Sequence, residues 1–315
     1  MGNINQFVGG AGASPAPGLM PEVRVLIDSG GVAKLDGATT TDIEPIDTRY
    51  VFIFKDVSPG QHNIEATLNG LVRNLSITIT ENKIYEFEPD FKKCAVRGVL
   101  SPSFLKNNDT ILQMEINSAM QSLYLRFEQD ITCRLTVVGP GQPGVAGVKV
   151  SSSYARGGNG GAGGAIEDYP DYQISSSQVL QISTTDAAIT VQAGSEVITC
   201  GADTTGSPGG SGATDTANAT AGAGGSTLRY GSYTVNAGGG GGGGGSNTRT
   251  TPGSGTKCGN YGGKGSTSTA NNGEYGRSPG GGGGGGGGGL TSCGSGGSRS
   301  KGCVILYYPD GFILT

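Results

Sequence analysis

The stretch SPGGGGGGGGGGLTSC, residues 278–293, holds an unbroken glycine run from 280 to 289, with no side chain at any of its positions. Two conformations are open to such a run. One is a slack tether, because glycine-rich chain behaves as a flexible coil and glycine loses more backbone freedom on ordering than any other residue. The other is an ordered rod of the polyproline-II kind, with three residues per turn, roughly 3.1 Å rise and no internal hydrogen bonds. Its N–H and C=O groups point outward, so neighbouring rods can satisfy one another, and only glycine lets their backbones approach closely. The flanking sequence favours order. The run is followed by Cys303-Val304-Ile305-Leu306-Tyr307-Tyr308, too apolar for a tail on a flexible tether, and a second run, 238–245, is entered directly from Tyr233-Thr234-Val235. A ten-residue rod would be about 30 Å long, enough to cross a small domain and deliver the chain to loops at either end.

The chain has 315 residues, 62 of them glycine, no tryptophan and 34% hydrophobic residues. Most of the glycine lies after Gly139, and no strict Gly-X-Y period persists over a long stretch, so collagen is not expected. With a net charge of -4 and 15% charged residues there is no broad basic footprint for nucleic acid. One RGG triplet, Arg156-Gly157-Gly158, does not change that. The opening residues lack a basic and then apolar leader pattern, Gln6 stands where a myristoylation site needs Ser or Thr, and no segment approaches eighteen consecutive apolar residues. No membrane insertion is therefore expected.

Six cysteines, Cys94, Cys133, Cys200, Cys258, Cys293 and Cys303, are widely spaced and form no CxxC pair. With His62 the sole histidine, a zinc ribbon, another metal site or a His-dependent dyad has little material, and no cofactor is expected. Disulfides among the last three cysteines and free buried thiols remain equally compatible. Glu167-Asp168 with Asp171 beside Tyr169 could imitate a glycosidase couple, but nothing local would bury the pair, and the reading preferred is a solvated acidic loop. The glycine strings lack GxxxxGK[ST] and a strand-to-helix context, so they are not phosphate cradles. The chain is not expected to be an enzyme.

Residues 1–21 read as an extended arm or linker. From Val23 the apolar period becomes two: 23–27, 50–54, 64–68, 75–80 and 84–87 are strand-like, with Asn69-Gly70 placed for a two-residue hairpin turn. Between 110 and 127, Leu112, Ile116, Ala119, Met120, Leu123 and Phe127 could share a helix face. Leu112/Met114/Ile116 and Leu123/Leu125/Phe127 also alternate, and the β-like flanks favour two strands. Residues 133–138 form another strand that runs into GPGQPG. Short strands at 179–182, 188–191 and 197–199 then alternate with glycine-rich segments and polar loops.

The text FKDVSPGQHNIEATLNG resembles the recurrent hairpin of Ig-like surface modules, including PEGA-type and carboxypeptidase-regulatory-like domains, over residues 22–90. The segments LTVVGPGQPG, YTVNAGGGGGGGGSN, SPGGGGGGGGGGLTS and GCVILYYPDG resemble the glycine-rich domains of bacteriophage tail-fibre tip adhesins and other virion fibres, over residues 134–315. The resemblances imply an all-β chain: an N-terminal Ig-like β-sandwich followed by a glycine-rich domain of short strands and packed polyglycine-II helices. The boundaries expected are 1–21 arm, 22–92 Ig-like sandwich, 93–138 β-rich connection and 139–315 glycine-rich domain. Residues 150–230 are only moderately glycine-rich, so fewer rods are expected there than in the adhesins.

Residues 246–279 are rich in Ser, Thr, Asn and Gly with isolated larger side chains, a palette suited to adaptable recognition loops and also to plain linker. Arg249, Lys257, Tyr261, Lys264, Tyr275 and Arg277 are the candidate contact residues. What the resemblance implies is a virion protein of a tail or surface fibre. It would be a homo-oligomer attached to other virion proteins through its N-terminal region and binding a bacterial surface glycan or outer-membrane protein. The alternative is a non-adhesive virion component, such as a capsid decoration, collar or baseplate spacer. A third reading is a bacterial matrix or surface protein.

Overall fold

The structure, a computed structural model, describes residues 20–91, 93–98, 103–108, 111–115, 122–230, 233–240, 251–256, 271–277, 279–309, 311 and 313–314. It is all β, with no helix among the described residues. The chain forms two compact units, Met1–Lys93 with Asp310–Thr315, and Cys94–Pro309. It leaves the first unit, completes the second and returns.

In the first unit β1 (Glu22–Asp28), β2 (Val32–Leu35), β3 (Ala38–Thr39), β4 (Ile43–Ile46), β5 (Arg49–Phe54), β6 (Gly60–Leu68), β7 (Leu71–Ile79) and β8 (Ile84–Phe87) make two four-stranded sheets. Their orders are β4-β5-β1-β8 and β3-β2-β6-β7. Alternation decides which residues turn inward: Val23, Val25 and Ile27 of β1 are buried, as are Ile64, Ala66 and Leu68 of β6. Both sheets contribute to one core with Phe52, Phe54, Ile79 and, from the returning chain, Ile313. Each such burial is worth roughly 1.5–3 kcal/mol relative to exposure. Two hairpins close on two-residue turns with positive φ at both positions, Asp36-Gly37 at 50° and 81° and Asn69-Gly70 at 49° and 84°. This is the mirror-image turn that matches strand twist, and Asn-Gly sits where the sequence placed it.

In the second unit β9 (Lys93–Gly98), β10 (Ser103–Asn108), β11 (Ile111–Glu115), β12 (Ser122–Phe127) and β13 (Ile131–Val138) are followed by the short pair β14 (Val148–Lys149) and β15 (Ala155–Arg156). Then come β16 (Gly163–Gly164), β17 (Ile166–Ile174), β18 (Leu180–Thr184), β19 (Ala188–Ala193), β20 (Glu196–Asp203), β21 (Gly224–Tyr230), β22 (Tyr233–Gly238) and β23 (Cys303–Tyr307). The last strand, β24 (Ile313–Leu314), lies past the return. One sheet has the order β10-β11-β23-β13-β17, and the other runs β16-β20-β19-β18-β12-β9. Alternation buries Leu123, Leu125 and Phe127 of β12 and Leu180 and Ile182 of β18. The region 111–127 is therefore strand wherever it is described, as its alternation implied.

The acidic stretch expected to be a solvated loop is β17, paired along its length with β13. Arg134 forks onto Asp168, Nε to Oδ1 at 2.9 Å and Nη2 to Oδ2 at 2.7 Å, and the Thr136 hydroxyl donates to Oδ1 at 2.7 Å. Burial opposes ionisation of Asp168, yet Arg134 and Thr136 outweigh it and hold the carboxyl below its ordinary pKa.

The glycine segments are continuations of these strands. Val138 of β13 faces Cys303 of β23 and Ile166 of β17, and the pairing persists beyond the strands at a step of three residues. Gly141, Gly144 and Gly147 donate N–H bonds to Ser300, Gly297 and Gly294; Gly139, Gln142 and Val145 donate to Ala165, Ala162 and Asn159. In the same rhythm Gly157, Gly160 and Gly163 donate to Ala213, Gly210 and Ser207. Segments 157–164 and 207–213, from the region expected to supply fewer rods, are thus part of the same lattice.

The 280–289 run lies among these segments, and every one of its glycines is buried. Gly281, Gly284 and Gly287 donate to Arg277, Glu274 and Asn271, while Gly283 and Gly286 donate to Gln142 and Val145, and Gly282 to Gly238. The same run accepts from Gly158, Gly161 and Gly164 and from Gly294, Gly297 and Ser300. Gly280 opens it at φ 71°, but none of the following glycines has positive φ. Their conformation is open to any L-residue, so glycine is required here by space and not by φ. A Cβ on Gly282 would overlap the carbonyl of Gly161, and one on Gly283 or Gly286 the carbonyl of Gly297 or Gly294.

Candidate functional site

Bond partners fix which end of each glycine segment is which. Gly139, Gly164, Ser207, Gly238 and Gly302 adjoin strands of the second unit's sheets, while Gly147, Gly157, Ala213, Gly287 and Gly294 mark the other end. At that remote end the chain turns through the β14–β15 hairpin at 148–156, through 214–219 and through 290–293. Asn271 and Asn272 lie there too, since Gly287 donates to the Asn271 carbonyl and Ser295 N–H to Asn272 Oδ1 at 2.8 Å.

These loops are built from small polar residues because each turn is closed by its own side chains. Thr214 N–H donates to the Ala217 carbonyl, and Ala217 N–H returns a bond to Thr214 Oγ1 at 3.0 Å. Val150 and Ser151 both donate to the Tyr154 carbonyl, and the Tyr154 hydroxyl accepts from Asp215 N–H at 3.2 Å, which ties the hairpin to the 214–219 turn. Asn159 Oδ1 accepts from Gly212 at 2.9 Å just beneath. Lys149, Arg156 and Asp215 are exposed at this end, as are Val148 and Val150. The surface therefore offers hydroxyls, amides, both signs of charge and apolar contact, held on a base of packed main chain.

The structure does not gather the sequence-derived candidates there. Arg249, Lys257, Tyr261 and Lys264 lie outside the described residues. Tyr275 and Arg277 stand on the 271–277 segment, exposed, Tyr275 at 71%. That segment runs from Asn271 at the remote end back to Arg277, whose carbonyl accepts from Gly281 near the sheets. Arg277 stands six residues back along the segment from Asn271, so these two side chains belong to the flank of the packed segments and not to the loop end. The hairpin at 148–156 and the turn at 214–219 were missed because each is short. Their signal was the break of the three-residue glycine period, where Val150 follows 141/144/147 and Asp215 follows 206/209/212.

Four of the described cysteines, Cys94, Cys133, Cys200 and Cys303, are buried. Burial, with Cys133 nearby, pushes the Cys94 thiol up to about 12, and burial alone pushes Cys133 to about 12. Burial raises Cys200 to about 11, and its Sγ donates to the carbonyls of Val137 and Ala165. Cys94, Cys133, Cys200, Cys293 and Cys303 are all free thiols, which leaves the last-three-cysteine disulfides without Cys293 and Cys303; Cys258 lies outside the described residues. In the first unit His62 Nδ1 lies 2.6 Å from Asp36 Oδ2 and Nε2 lies 2.8 Å from the Ser58 carbonyl. Both ring nitrogens face acceptors, so the imidazolium fits best and the His62 pKa is raised, first by Asp36 and then by Ser58.

Comparison of the chain with protein-family models, curated proteins and solved structures finds no match.

Proposed function

We propose that the glycine segments are polyglycine-II helices packed side by side, and that the chain is a virion fibre protein, a bacteriophage tail-fibre tip adhesin. The observation that carries this reading is the 280–289 run: fully buried, free of side chains and bonded to its neighbours at three-residue steps, the turn length of such a helix. A core of main chain gives a stiff platform without apolar bulk. Its remote loops then act as the receptor-binding surface, where Ser, Thr, Asn and Tyr groups suit the hydroxyl edges of a bacterial surface glycan or the polar loops of an outer-membrane protein. Val148 and Val150 supply the apolar part of the contact.

In this reading the first unit, two sheets on one core, is the Ig-like module that joins the fibre to other virion proteins, and the chain assembles as a homo-oligomer outside the cell. It binds without catalysis: Asp168, the acidic residue best placed to imitate a glycosidase carboxylate, is spent on Arg134 and Thr136. The competing reading is a rigid virion spacer with no receptor.

Adsorption separates the two. Purified full-length chain, added to host cells before virions carrying it, should slow virion adsorption. The triple variant Lys149→Ala, Tyr154→Ala, Asp215→Ala should lose that effect while keeping its thermal transition. A wild-type chain that neither binds the cells nor delays adsorption would overturn the adhesin and leave the spacer.

A further inference from the structure

The 139–147 segment uses its N–H groups by register. One register, Gly139, Gln142 and Val145, is bonded to 159–165, and a second, Gly141, Gly144 and Gly147, to 294–300. The third is Pro140, Pro143 and Ala146, in which two of three positions have no N–H to give. Side chains follow the same division. The register that faces the 280–289 run is all glycine, and a Cβ on any of Gly141, Gly144 or Gly147 would overlap the carbonyls of Gly281, Gly284 or Gly287. Gln142, Pro143, Val145, Ala146 and Val148 carry side chains and are exposed.

We infer that this flank is a closed edge of the bundle, where Pro143, the exposed one of the two prolines, and the exposed β-carbons keep a second copy of the chain from laying its own glycine segment against it. The inference rests on the packed-helix reading above. The matching surface is bare main chain in antiparallel array, which is how 139–147 already pairs with two neighbours inside the molecule. Exposed edges of β-sheets are guarded against the same hazard by proline and by bulky or charged side chains. Proline also stiffens an extended helix by fixing φ, so the test must separate stiffening from guarding.

The full-length variant Gln142→Gly, Pro143→Gly, Val145→Gly, Ala146→Gly bares the edge. The variant Gln142→Ala, Pro143→Ala, Val145→Ala restores one N–H but keeps every β-carbon. In sedimentation equilibrium the glycine variant should self-associate at least tenfold more tightly than wild type, as a step beyond the wild-type state, and the alanine variant should match wild type. Amide exchange of 280–289 is followed in the same samples. A glycine variant with wild-type mass and protected 280–289 amides overturns the edge, as does equal association of both variants. If the glycine variant loses that protection, the decision passes to Val145→Gly, Ala146→Gly, which keeps Pro143 and so keeps its stiffening. These bare the same flank in part, and an unchanged mass there overturns the edge equally. Fast exchange of 280–289 in the wild type strikes the packed-helix reading itself.

Discussion

Replacing Gly286 by alanine adds one methyl group at a position with ordinary negative φ, so backbone strain plays no part. The new Cβ would stand 2.6 Å from the Gly294 carbonyl carbon and nearer still to its oxygen, whereas ordinary contact begins at 3.4 Å. The 294–302 segment must therefore back away by at least about 0.8 Å. Two buried bonds hold it there, Gly294 N–H to the Gly287 carbonyl at 2.8 Å and Gly297 N–H to the Gly284 carbonyl at 2.7 Å. The displacement takes both to about 3.5 Å or beyond. Leaving buried polar groups unpaired costs about 1–3 kcal/mol each, so the change should destabilise the second unit by about 2–6 kcal/mol, a large share of a domain's stability. At about 2–4 °C per kcal/mol its melting transition falls by on the order of 10 °C. In a tether the sign is reversed or absent, since Gly→Ala at a compatible site stabilises by about 0.4–1 kcal/mol through the unfolded chain. Calorimetry of wild type, Gly286→Ala and the exposed control Ser298→Ala, with amide exchange on 280–289, reads this out. A Gly286→Ala melting point equal to wild type or above it refutes the packed core.

The His62–Asp36 pair makes the first unit pH-dependent. The raised His62 pKa adds stability that is full below its ordinary value of about 6.5 and is lost as pH rises through the folded value. The Asp36 pKa is lowered, first by the Asn63 N–H and then by His62, so its contribution is lost as pH falls through that lowered value. Urea unfolding of the first unit should show wild type losing stability relative to His62→Gln as pH rises above about 6.5 and through the raised folded value; parallel curves would contradict the pairing. Asp168→Asn should destabilise the second unit by about 1–3 kcal/mol at pH 7, and the difference from wild type should shrink as pH falls through the lowered carboxyl value. A thiol reagent at pH 8 should leave the buried Cys94, Cys133, Cys200 and Cys303 unlabelled in the native state while Cys293, half-buried, reacts before them. Peptide mapping showing the buried four labelled at the Cys293 rate would refute their burial.

The strands that could be read in advance are those whose partner lies across an ordinary apolar core, because alternation records which face meets that core. Val23, Val25 and Ile27 were visible for this reason, and so was Asn69-Gly70, whose φ demand few residues meet. β17 was hidden because its outward residues are acidic and its fixing partner, Arg134, sits thirty-four positions away in sequence. β2 was hidden because it is only four residues long, and β3 and β4 because their few residues are exposed. No local pattern records a long-range ion pair or a two-residue edge strand. The remote loops share that fate, since what makes them a surface is the bundle beneath them.

The glycine segments obey a different rule, and it was in the sequence all along. Bonding partners recur every third residue, so each register of a segment faces one direction, and where that direction holds another backbone a Cβ does not fit. Segments 139–147 and 271–277 have one glycine register each, at 141/144/147 and 273/276, and both face the 280–289 run. In segment 294–302, Gly294 and Gly297 face Asn271 and Glu274, with Ser300 next in that register; Gly296 and Gly302 face Gly144 and Val138, with Arg299 between them; and the third register, Ser295, Ser298 and Lys301, faces water. The 280–289 run has three glycine registers and no exposed glycine. Glycine thus stands in a register wherever a Cβ would point into a neighbouring backbone. A pure glycine run is therefore not the loosest part of such a chain; it is the part with neighbours in every direction.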